Sequence, residues 1–256
     1  MTRRFALLLA FLVLAGPANY ESPKTAALPA ECRVAENMIE PNFALRQVAR
    51  AIAAKHLEIL VLGAGSSLLP GANGSKDAYP ARLQHALSEK LSGVEVKVTT
   101  DVKAKRSAAE MAKALPQALS GIKPALVVWQ TGTVDAMQAV DPDQFSQALD
   151  RGVNYARSAG ADVVFINPQY SPRTESMIAI GTYAENMRWV ALQQEAPLFD
   201  RFGIMKLWAD TGTFDLQSAT KKLDMAEHVH DCIGRLLGDL VIAAAKLSEP
   251  HAEGGR

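Results

Sequence analysis

The chain has 256 residues, of which 48% are hydrophobic, 21% charged and 6% aromatic, a composition that excludes a disordered, collagen-like or coiled-coil protein. The 27 basic and 27 acidic residues cancel, so the chain lacks the surplus of Lys and Arg that proteins binding nucleic acids or anionic membranes carry. We therefore expect one or two globular domains, no nucleic-acid partner and a function that involves a small molecule.

Residues 1–18 have the pattern of a secretory signal peptide. Two arginines precede an apolar run over residues 5–14, and the small residues Gly16 and Ala18 occupy the positions that a signal peptidase recognises. The run is too short to cross about 30 Å of hydrocarbon, which takes roughly 20 apolar residues. We predict a periplasmic or secreted protein that has no membrane contact once the signal is removed. An uncleaved N-terminal anchor is the alternative.

The two cysteines of the chain, Cys32 and Cys232, lie far apart in the sequence and outside any spacing that is typical of a zinc site. In an exported protein, such a pair favours a disulfide. We predict a bond between them that joins the N-terminal segment to the last helix, and neither a metal nor another cofactor. Two buried free thiols are the alternative.

Short apolar runs and helical patterns alternate from residue 57 onward. The predicted strands cover residues 57–62, 94–98, 125–130, 162–167 and 197–202. The predicted helices cover residues 77–91, 107–118, 141–160 and 182–194, and a last helix precedes the C-terminus. The expected organisation is a leader with a helical segment over residues 19–56, one domain over residues 57–247, and a flexible tail over residues 248–256.

Strands and helices that alternate at this spacing indicate right-handed crossovers and a parallel sheet with helices on both faces. The sequence therefore predicts a three-layer α/β/α fold with a five-stranded parallel sheet. Residues 94–98 alternate valine with charged residues, which is typical of an edge strand. Because ligands bind beyond the carboxyl ends of parallel strands, candidate site residues lie in the loops that follow the predicted strands.

A Gly-rich turn with two serines, GSSLLPG at residues 65–71, follows the first predicted strand. A hydroxyl on such a turn can be exposed and held rigidly, as a nucleophile must be. A purely structural turn is the alternative. The phosphate-binding loop is absent from the sequence, and the dinucleotide-binding glycine pattern is incomplete.

Two further segments extend this pattern: Tyr79 and Pro80 open the first helix of the domain, and WQTGTVD follows the third strand at residues 129–135. Together the segments resemble the SGNH branch of the GDSL esterases and lipases, over residues 57–240. The resemblance implies a flavodoxin-like, SGNH-type sheet and a serine nucleophile that attacks a carboxylic ester.

The resemblance also assigns roles to the serines of the turn. Gly71 lies four residues after the position of the family's nucleophile, which implies Ser67 in that role. Ser66 then stands where the family has an aspartate. Alternation along the strand likewise suggests that Ser67 faces the cleft and that Ser66 does not.

An oxyanion hole in this family combines the amide of the nucleophile with a Gly and an Asn from two further blocks. The third block keeps Gly132 and Asp135, whereas its Asn position is Val134, which has no donor. The position of the second-block Gly falls near Ser107. The candidates to supply the missing donor are Thr133, Ser66 and Ser107.

The family's Asp-x-x-His motif before the last helix has no clean match. Asp224 stands where the histidine is expected, and it forms a capping box with Glu227, which is its alternative role. A serine needs a neutral imidazole to accept its proton, and His228 and His230 follow in the first turns of the helix. Because His230 borders the apolar stripe, we predict it as the base, with Asp224 or, as the alternative, Asp231 to orient it. The alternative is that no histidine is catalytic.

Two other polar groups follow the fourth and fifth strands. Arg173 ends the loop after the fourth strand and suits a carboxylate or sugar hydroxyls; a plain loop with a stacked tyrosine is the alternative. Asp200 and Arg201 are interpreted either as a polar group at the rim of the site or as a structural ion pair.

The sequence thus predicts an exported SGNH/GDSL-like serine hydrolase that acts as a monomer on a carboxylic ester. Its substrate is expected to be an O-acyl group on an envelope glycan or a small acyl ester. The alternative is a catalytically degenerate protein of the same fold that binds a glycan or acyl ligand, because fold alone does not determine function.

Overall fold

The computed structural model describes residues 28–217 and 223–248. The predicted signal peptide, the leader up to residue 27 and the tail from residue 249 lie outside these described residues. In the described part of the chain, no helix combines the length and the apolar character that a membrane span requires.

A five-stranded parallel sheet forms the centre of the structure, with strand order β2-β1-β3-β4-β5. The strands are β1 (His56–Gly63), β2 (Glu95–Val102), β3 (Leu126–Gln130), β4 (Asp162–Ile166) and β5 (Leu198–Phe199). The valine-alternating strand β2 lies at one edge, as predicted. The chain passes from β1 to β2 on one side and then returns to β3 on the other, so the strand order reverses between β1 and β3.

The α-helices of the described residues are α1 (Arg46–Ala53), α2 (Gly74–Asp77), α3 (Tyr79–Lys90), α4 (Ala108–Ile122), α5 (Thr133–Met137), α6 (Pro142–Ser158), α7 (Pro172–Met177), α8 (Ile180–Gln193), α9 (Arg201–Asp210) and α10 (Leu223–Lys246). Helices α1, α3, α9 and α10 cover one face of the sheet, and α4, α6 and α8 cover the other. Ile59 and Val61 of β1 point to the first face, whereas Leu60 and Leu62 point to the second. The predicted three-layer α/β/α fold is confirmed.

Polar side chains fix the starts of two predicted helices. Ser107 caps α4 by accepting a hydrogen bond from the amide of Glu110, and the Glu110 side chain accepts one from the amide of Ser107 in return. Asp141 accepts hydrogen bonds from two amides in the first turn of α6. These caps satisfy amides that have no partner within the helix.

The fifth strand is shorter than predicted, with only Leu198 and Phe199 in the ladder. Asp200 ends it, because its carboxylate accepts a hydrogen bond from the amide of Gly203 and starts helix α9 at Arg201. The predicted strand over residues 197–202 is therefore wrong in its second half. This early helix start brings Arg201 to the carboxyl edge of the sheet.

A disulfide between Cys32 and Cys232 joins a short 3-10 turn near the N-terminus to α10, as predicted. The neighbouring helix α1 is fixed to the sheet through Asp162, whose carboxylate accepts hydrogen bonds from the amides of Gln47 and Val48 at 2.7 and 3.0 Å. The N-terminal segment is thus part of the packed structure, and it anchors the helix that carries His230.

Candidate active site

The two serines of the Gly-rich turn differ in their exposure. After β1 the chain enters a 3-10 turn at Gly65–Ser67, closed by a 2.9 Å hydrogen bond from the amide of Ser67 to the carbonyl of Ala64. Ser67 is fully buried, and its Oγ lies so close to Gly63 that a Cβ on that glycine would approach it to 2.2 Å. The expectation that Ser67 faces the cleft is wrong, because the turn ends the strand alternation on which it depended.

Ser66, in contrast, lines an open cleft at the carboxyl ends of β1 and β3, with a volume of about 420 Å³. We call it the β1–β3 cleft. The residues that line it are Ala64, Gly65, Ser66, Ala104, Lys105, Thr133, Val134, Met137 and Gln138. The cleft lies where the strand order reverses, which is where open α/β sheets bind their ligands.

Gln130, at the end of β3, connects the two serines. Its amide oxygen accepts hydrogen bonds from the hydroxyl of Ser67 and, at 3.2 Å, from Nη1 of Arg201. Because a guanidinium only donates, the oxygen must face Arg201, and Nε2 is left to donate to Ser66 Oγ at 2.7 Å. The hydroxyl proton of Ser66 is consequently directed away from Gln130, whereas that of Ser67 is already bound.

Tyr79 completes the surroundings of Ser67. Its hydroxyl donates to Ser67 Oγ at 3.3 Å, and burial raises the pKa of this phenol to about 12. Tyr79 therefore remains a neutral donor. With both a donor and an acceptor in place, Ser67 is a fully bonded hydroxyl of the protein interior.

His230 is held by the backbone of the same tyrosine. The amide of Tyr79 donates to His230 Nδ1 at 3.0 Å. Burial, together with the nearby charge of Arg201, lowers the pKa of His230 to about 3, so the ring is neutral. Since Nδ1 accepts, the single ring proton is on Nε2. In the described part of the chain, neither Ser66 nor Ser67 has a hydrogen bond to a histidine or a carboxylate.

Arg201 is fully buried, and within residues 28–217 and 223–248 it has no salt bridge to a carboxylate. Its Nη1 also donates to the carbonyl of Ser66 at 3.4 Å, and its Nη2 donates to Gln169 Oε1 at 3.2 Å. Burial lowers the pKa of the guanidinium to about 10, which leaves it charged at neutral pH. Asp200 pairs with Arg188 instead, so the interpretation of Asp200 and Arg201 as an ion pair is wrong.

The remaining residues of the third block have structural contacts. Asp135 is buried and accepts hydrogen bonds from the amide of Ala108 at 3.0 and 3.2 Å, which ties the start of α4 to the loop after β3. Burial raises the pKa of this carboxyl. Gly132 has a φ of 96°, and a Cβ there would lie 2.8 Å from Pro168. Thr133 lines the β1–β3 cleft, with a buried Oγ1 that has no hydrogen-bond partner in the described structure.

The other predicted site residues lie elsewhere. Ser107 is engaged in the cap of α4, where its Oγ donates to Glu110 at 2.9 Å. Arg173 is exposed in the first turn of α7, and Asp224 is exposed in the first turn of α10. The described helix already includes Leu223, so Asp224 lies within it. Neither Arg173 nor Asp224 lines the β1–β3 cleft.

The structure thus brings Ser66, Ser67, Gly132 and Thr133 to one edge of the sheet and places His230 beyond Tyr79. The contribution of Gln130 was missed at the sequence level, and the contacts of Arg201 with Gln130 and Gln169 were not predicted. Gln130 is within the WQTGTVD segment and Arg201 follows the fifth strand, so their position at strand ends was the available signal. Among the described residues, no group of three or more His, Cys, Asp or Glu side chains is arranged to hold a metal ion.

Comparison with known proteins supports the resemblance to SGNH hydrolases. The profile of the Non-GDSL lipase-like family matches residues 31–247, whereas no curated protein matches the sequence. Similar solved structures include TesA, with 24% identity, a TM-score of 0.56, and coverage of 72% of this chain and 99% of that chain.

Two further structures with this fold come from named organisms. A lipase/acylhydrolase from Enterococcus faecalis has 18% identity and a TM-score of 0.56, with 72% of this chain and 96% of that chain covered. A catalytic mutant of Axe2, an acetylxylan esterase from Geobacillus stearothermophilus, has 13% identity and a TM-score of 0.58, with coverage of 72% and 94%. At these identities the likeness concerns the fold. The family profile, which spans most of the chain, shows that the protein belongs to the Non-GDSL lipase-like family, on the SGNH hydrolase fold.

Proposed function

We propose that the protein hydrolyses carboxylic esters in the β1–β3 cleft and that Ser66 is the nucleophile. The observation that carries this proposal is the orientation of Ser66: its oxygen accepts a hydrogen bond from Gln130, while the residue lines the cleft at the point where the sheet order reverses. Family membership and the esterases and lipases among the similar structures support the same reaction class.

The substrate is proposed to be an acyl ester. Ala64, Ala104, Val134 and Met137 supply an apolar wall to the cleft, and such a wall favours an acyl chain over a charged group. An O-acyl group on an envelope glycan is the second substrate class, which the fold likeness to an acetylxylan esterase supports. Export is proposed from the N-terminal pattern and the disulfide.

The proton of Ser66 must pass to a base during attack. Lys105 is the titratable side chain among the residues that line the cleft, and serine–lysine pairs serve as nucleophile and base in other hydrolases. We assign Lys105 this role in place of His230.

A second candidate function is binding of an acyl or glycan ester without turnover. The specific observation in its favour is that the described structure places no histidine or carboxylate in hydrogen-bond contact with either serine. Loss of the base in a serine hydrolase costs several orders of magnitude in rate. The apolar cleft would then retain its ligand.

The test is turnover of p-nitrophenyl acetate, butyrate and octanoate, together with mass spectrometry after treatment with a fluorophosphonate. We expect labelling of Ser66, and a loss of about 10³-fold or more in kcat/KM for Ser66→Ala. Ser75→Ala, a change at an exposed serine of α2, is the matched control and should leave the rate unchanged. Ser67→Ala should retain labelling.

Each outcome separates the two candidates. Turnover that survives Ser66→Ala refutes the assignment of the nucleophile. A wild-type protein that binds octanoate esters but neither turns them over nor reacts with the fluorophosphonate supports binding without catalysis. A Lys105→Gln variant whose rate matches that of the wild type refutes the assignment of the base.

A further inference from the structure

A second cavity, of about 210 Å³, lies beside the start of α10 and shares no lining residue with the β1–β3 cleft. We call it the His230 cavity. Its walls combine polar groups, including Gln169 and His230, with the apolar side chains of Met205, Leu216 and Val229. Neither Ser66, the proposed nucleophile, nor Lys105, the proposed base, lines it. The proposed reaction therefore gives this cavity no role.

His230 presents a hydrogen-bond donor to this cavity. The ring is 7% exposed, and its Nδ1 is occupied by the amide of Tyr79, which can only donate. A neutral imidazole with Nδ1 as acceptor carries its proton on Nε2. In the described part of the chain, Nε2 has no hydrogen-bond partner of its own. The Nε2–H group is therefore available to an acceptor atom of a ligand in the cavity.

Gln169 presents a second donor by the same reasoning. Its Oε1 accepts a hydrogen bond from Nη2 of Arg201 at 3.2 Å. A guanidinium has no acceptor, so the amide oxygen must face Arg201 and the NH₂ group must face away from it. Within the described residues this NH₂ group has no protein partner. Two donors whose orientations are fixed by buried partners thus belong to one cavity.

The local charge favours an anion. The Arg201 guanidinium behind Gln169 is buried and has no carboxylate partner among the described residues, and an uncompensated cation in a low-dielectric region attracts negative charge strongly. Asp215 is the carboxylate among the lining residues. It is exposed and accepts a hydrogen bond from the amide of Gln217. Solvent therefore weakens the repulsion between Asp215 and a bound anion more than the protein interior weakens the attraction between Arg201 and that anion.

We propose that the His230 cavity binds the carboxylate of a small organic acid that has an apolar tail. Nε2–H of His230 and the NH₂ group of Gln169 donate to the carboxylate, and Met205, Leu216 and Val229 surround the tail. Binding is independent of ester hydrolysis, so failure of the proposed function leaves this inference standing and the reverse also holds.

The experiment is a calorimetric titration of the full chain with hexanoate and, as a neutral probe of the same length, hexanamide. Because charge-assisted hydrogen bonds are stronger than neutral ones, hexanoate should bind about tenfold more tightly or better. Gln169→Glu replaces the donor with a negative oxygen while it keeps an acceptor for Arg201, and it should weaken hexanoate binding by about tenfold or more. Gln117→Glu, at an exposed glutamine of α4, is the matched control and should bind hexanoate as the wild type does.

Filling the cavity gives an independent variant that leaves both donors intact. Leu216 is a partly exposed wall residue, so Leu216→Trp should fold and should block hexanoate. In the wild type, hexanoate should also shift the ¹⁵N resonance of His230 Nε2. Equal affinity for hexanoate and hexanamide would overturn the proposal, and so would hexanoate binding that survives both Gln169→Glu and Leu216→Trp.

Discussion

The β1–β3 cleft and the His230 cavity divide between them groups that a serine hydrolase ordinarily brings together. The cleft has a serine hydroxyl, Ser66, and no histidine, whereas the cavity has a histidine and no serine nucleophile among its lining residues. Tyr79 stands between them: its hydroxyl binds Ser67, and its amide binds His230. Ser66 and His230 therefore belong to two separate sites of this chain.

Arg201 links the two regions and stabilises both. One of its nitrogens orients Gln130 beside the serines, and the other orients Gln169 beside the His230 cavity. Since each amide oxygen accepts from a group that can only donate, both NH₂ groups face away from Arg201, and that of Gln130 donates to Ser66. The same buried cation therefore determines which hydrogen bonds each region offers to a ligand.

The largest effect is expected from the replacement of Arg201. Arg201→Met leaves the oxygens of Gln130 and Gln169 with fewer donors, and a buried group without its partner costs about 1–3 kcal/mol, so we expect a loss of about 2–4 kcal/mol in the free energy of unfolding. Because the charge of Arg201 lowers the pKa of His230, that pKa should rise. Urea denaturation and an NMR titration measure the two effects.

Arg173→Met, at an exposed arginine of α7, is the control and should change stability by no more than about 0.5 kcal/mol. An Arg201→Met protein that is as stable as the wild type, with the side-chain amides of Gln130 and Gln169 still ordered, would show that Arg201 does not organise the two regions.

The pH dependence of stability tests the lowered pKa of His230. Its pKa in the folded state, about 3, is below the unfolded value of about 6.5. Below pH 6.5 His230 becomes protonated in the unfolded chain but stays neutral in the folded chain, so acidification favours unfolding. From pH 7 to pH 5 this residue alone should remove about 2 kcal/mol of stability. His230→Asn should lose that part of the pH slope.

The slope of stability against pH is compared between the wild type and His230→Asn, so the contributions of Asp135 and Asp162 cancel. Burial raises the pKa values of these two carboxyls, and their effect on the slope is therefore opposite to that of His230. His228→Asn, at an exposed histidine on the same helix, is the matched control for loss of an imidazole. If His230→Asn kept the wild-type slope, the ring would be titrating as an ordinary histidine in the folded protein.

The smallest effect is expected from the phenol of Tyr79. Tyr79→Phe removes the donor to Ser67 but keeps the amide that binds His230, so stability should fall by about 1 kcal/mol while the pH slope from His230 is unchanged. Tyr155→Phe, at an exposed tyrosine of α6, controls for loss of a hydroxyl. A Tyr79→Phe variant with an altered His230 titration would mean that the two contacts are coupled.

The sequence predicted the sheet, its edge strand, the existence of helices α4 and α6 and the disulfide, because apolar periodicity and cysteine usage act locally or through simple pairing rules. The predicted orientation of Ser66 and Ser67 failed because a 3-10 turn replaced strand alternation after Gly63. Arg201 was placed in a strand, with an ion pair to Asp200 as one of two interpretations, since nothing local shows that Asp200 starts a helix and turns the arginine toward Gln130. Contacts between distant segments decide such positions.

The most direct test of the division between the two regions is the protonation state of His230. In ¹⁵N-labelled protein at pH 7, long-range ¹H–¹⁵N correlation spectra distinguish a protonated ring nitrogen from an unprotonated one. The structure predicts a neutral ring with its proton on Nε2, with Nδ1 as acceptor, and with no titration down to about pH 4. A ring that titrates near neutral pH, with Nε2 accepting a hydrogen bond from Ser66 or Ser67, would contradict the account and restore His230 as the catalytic base.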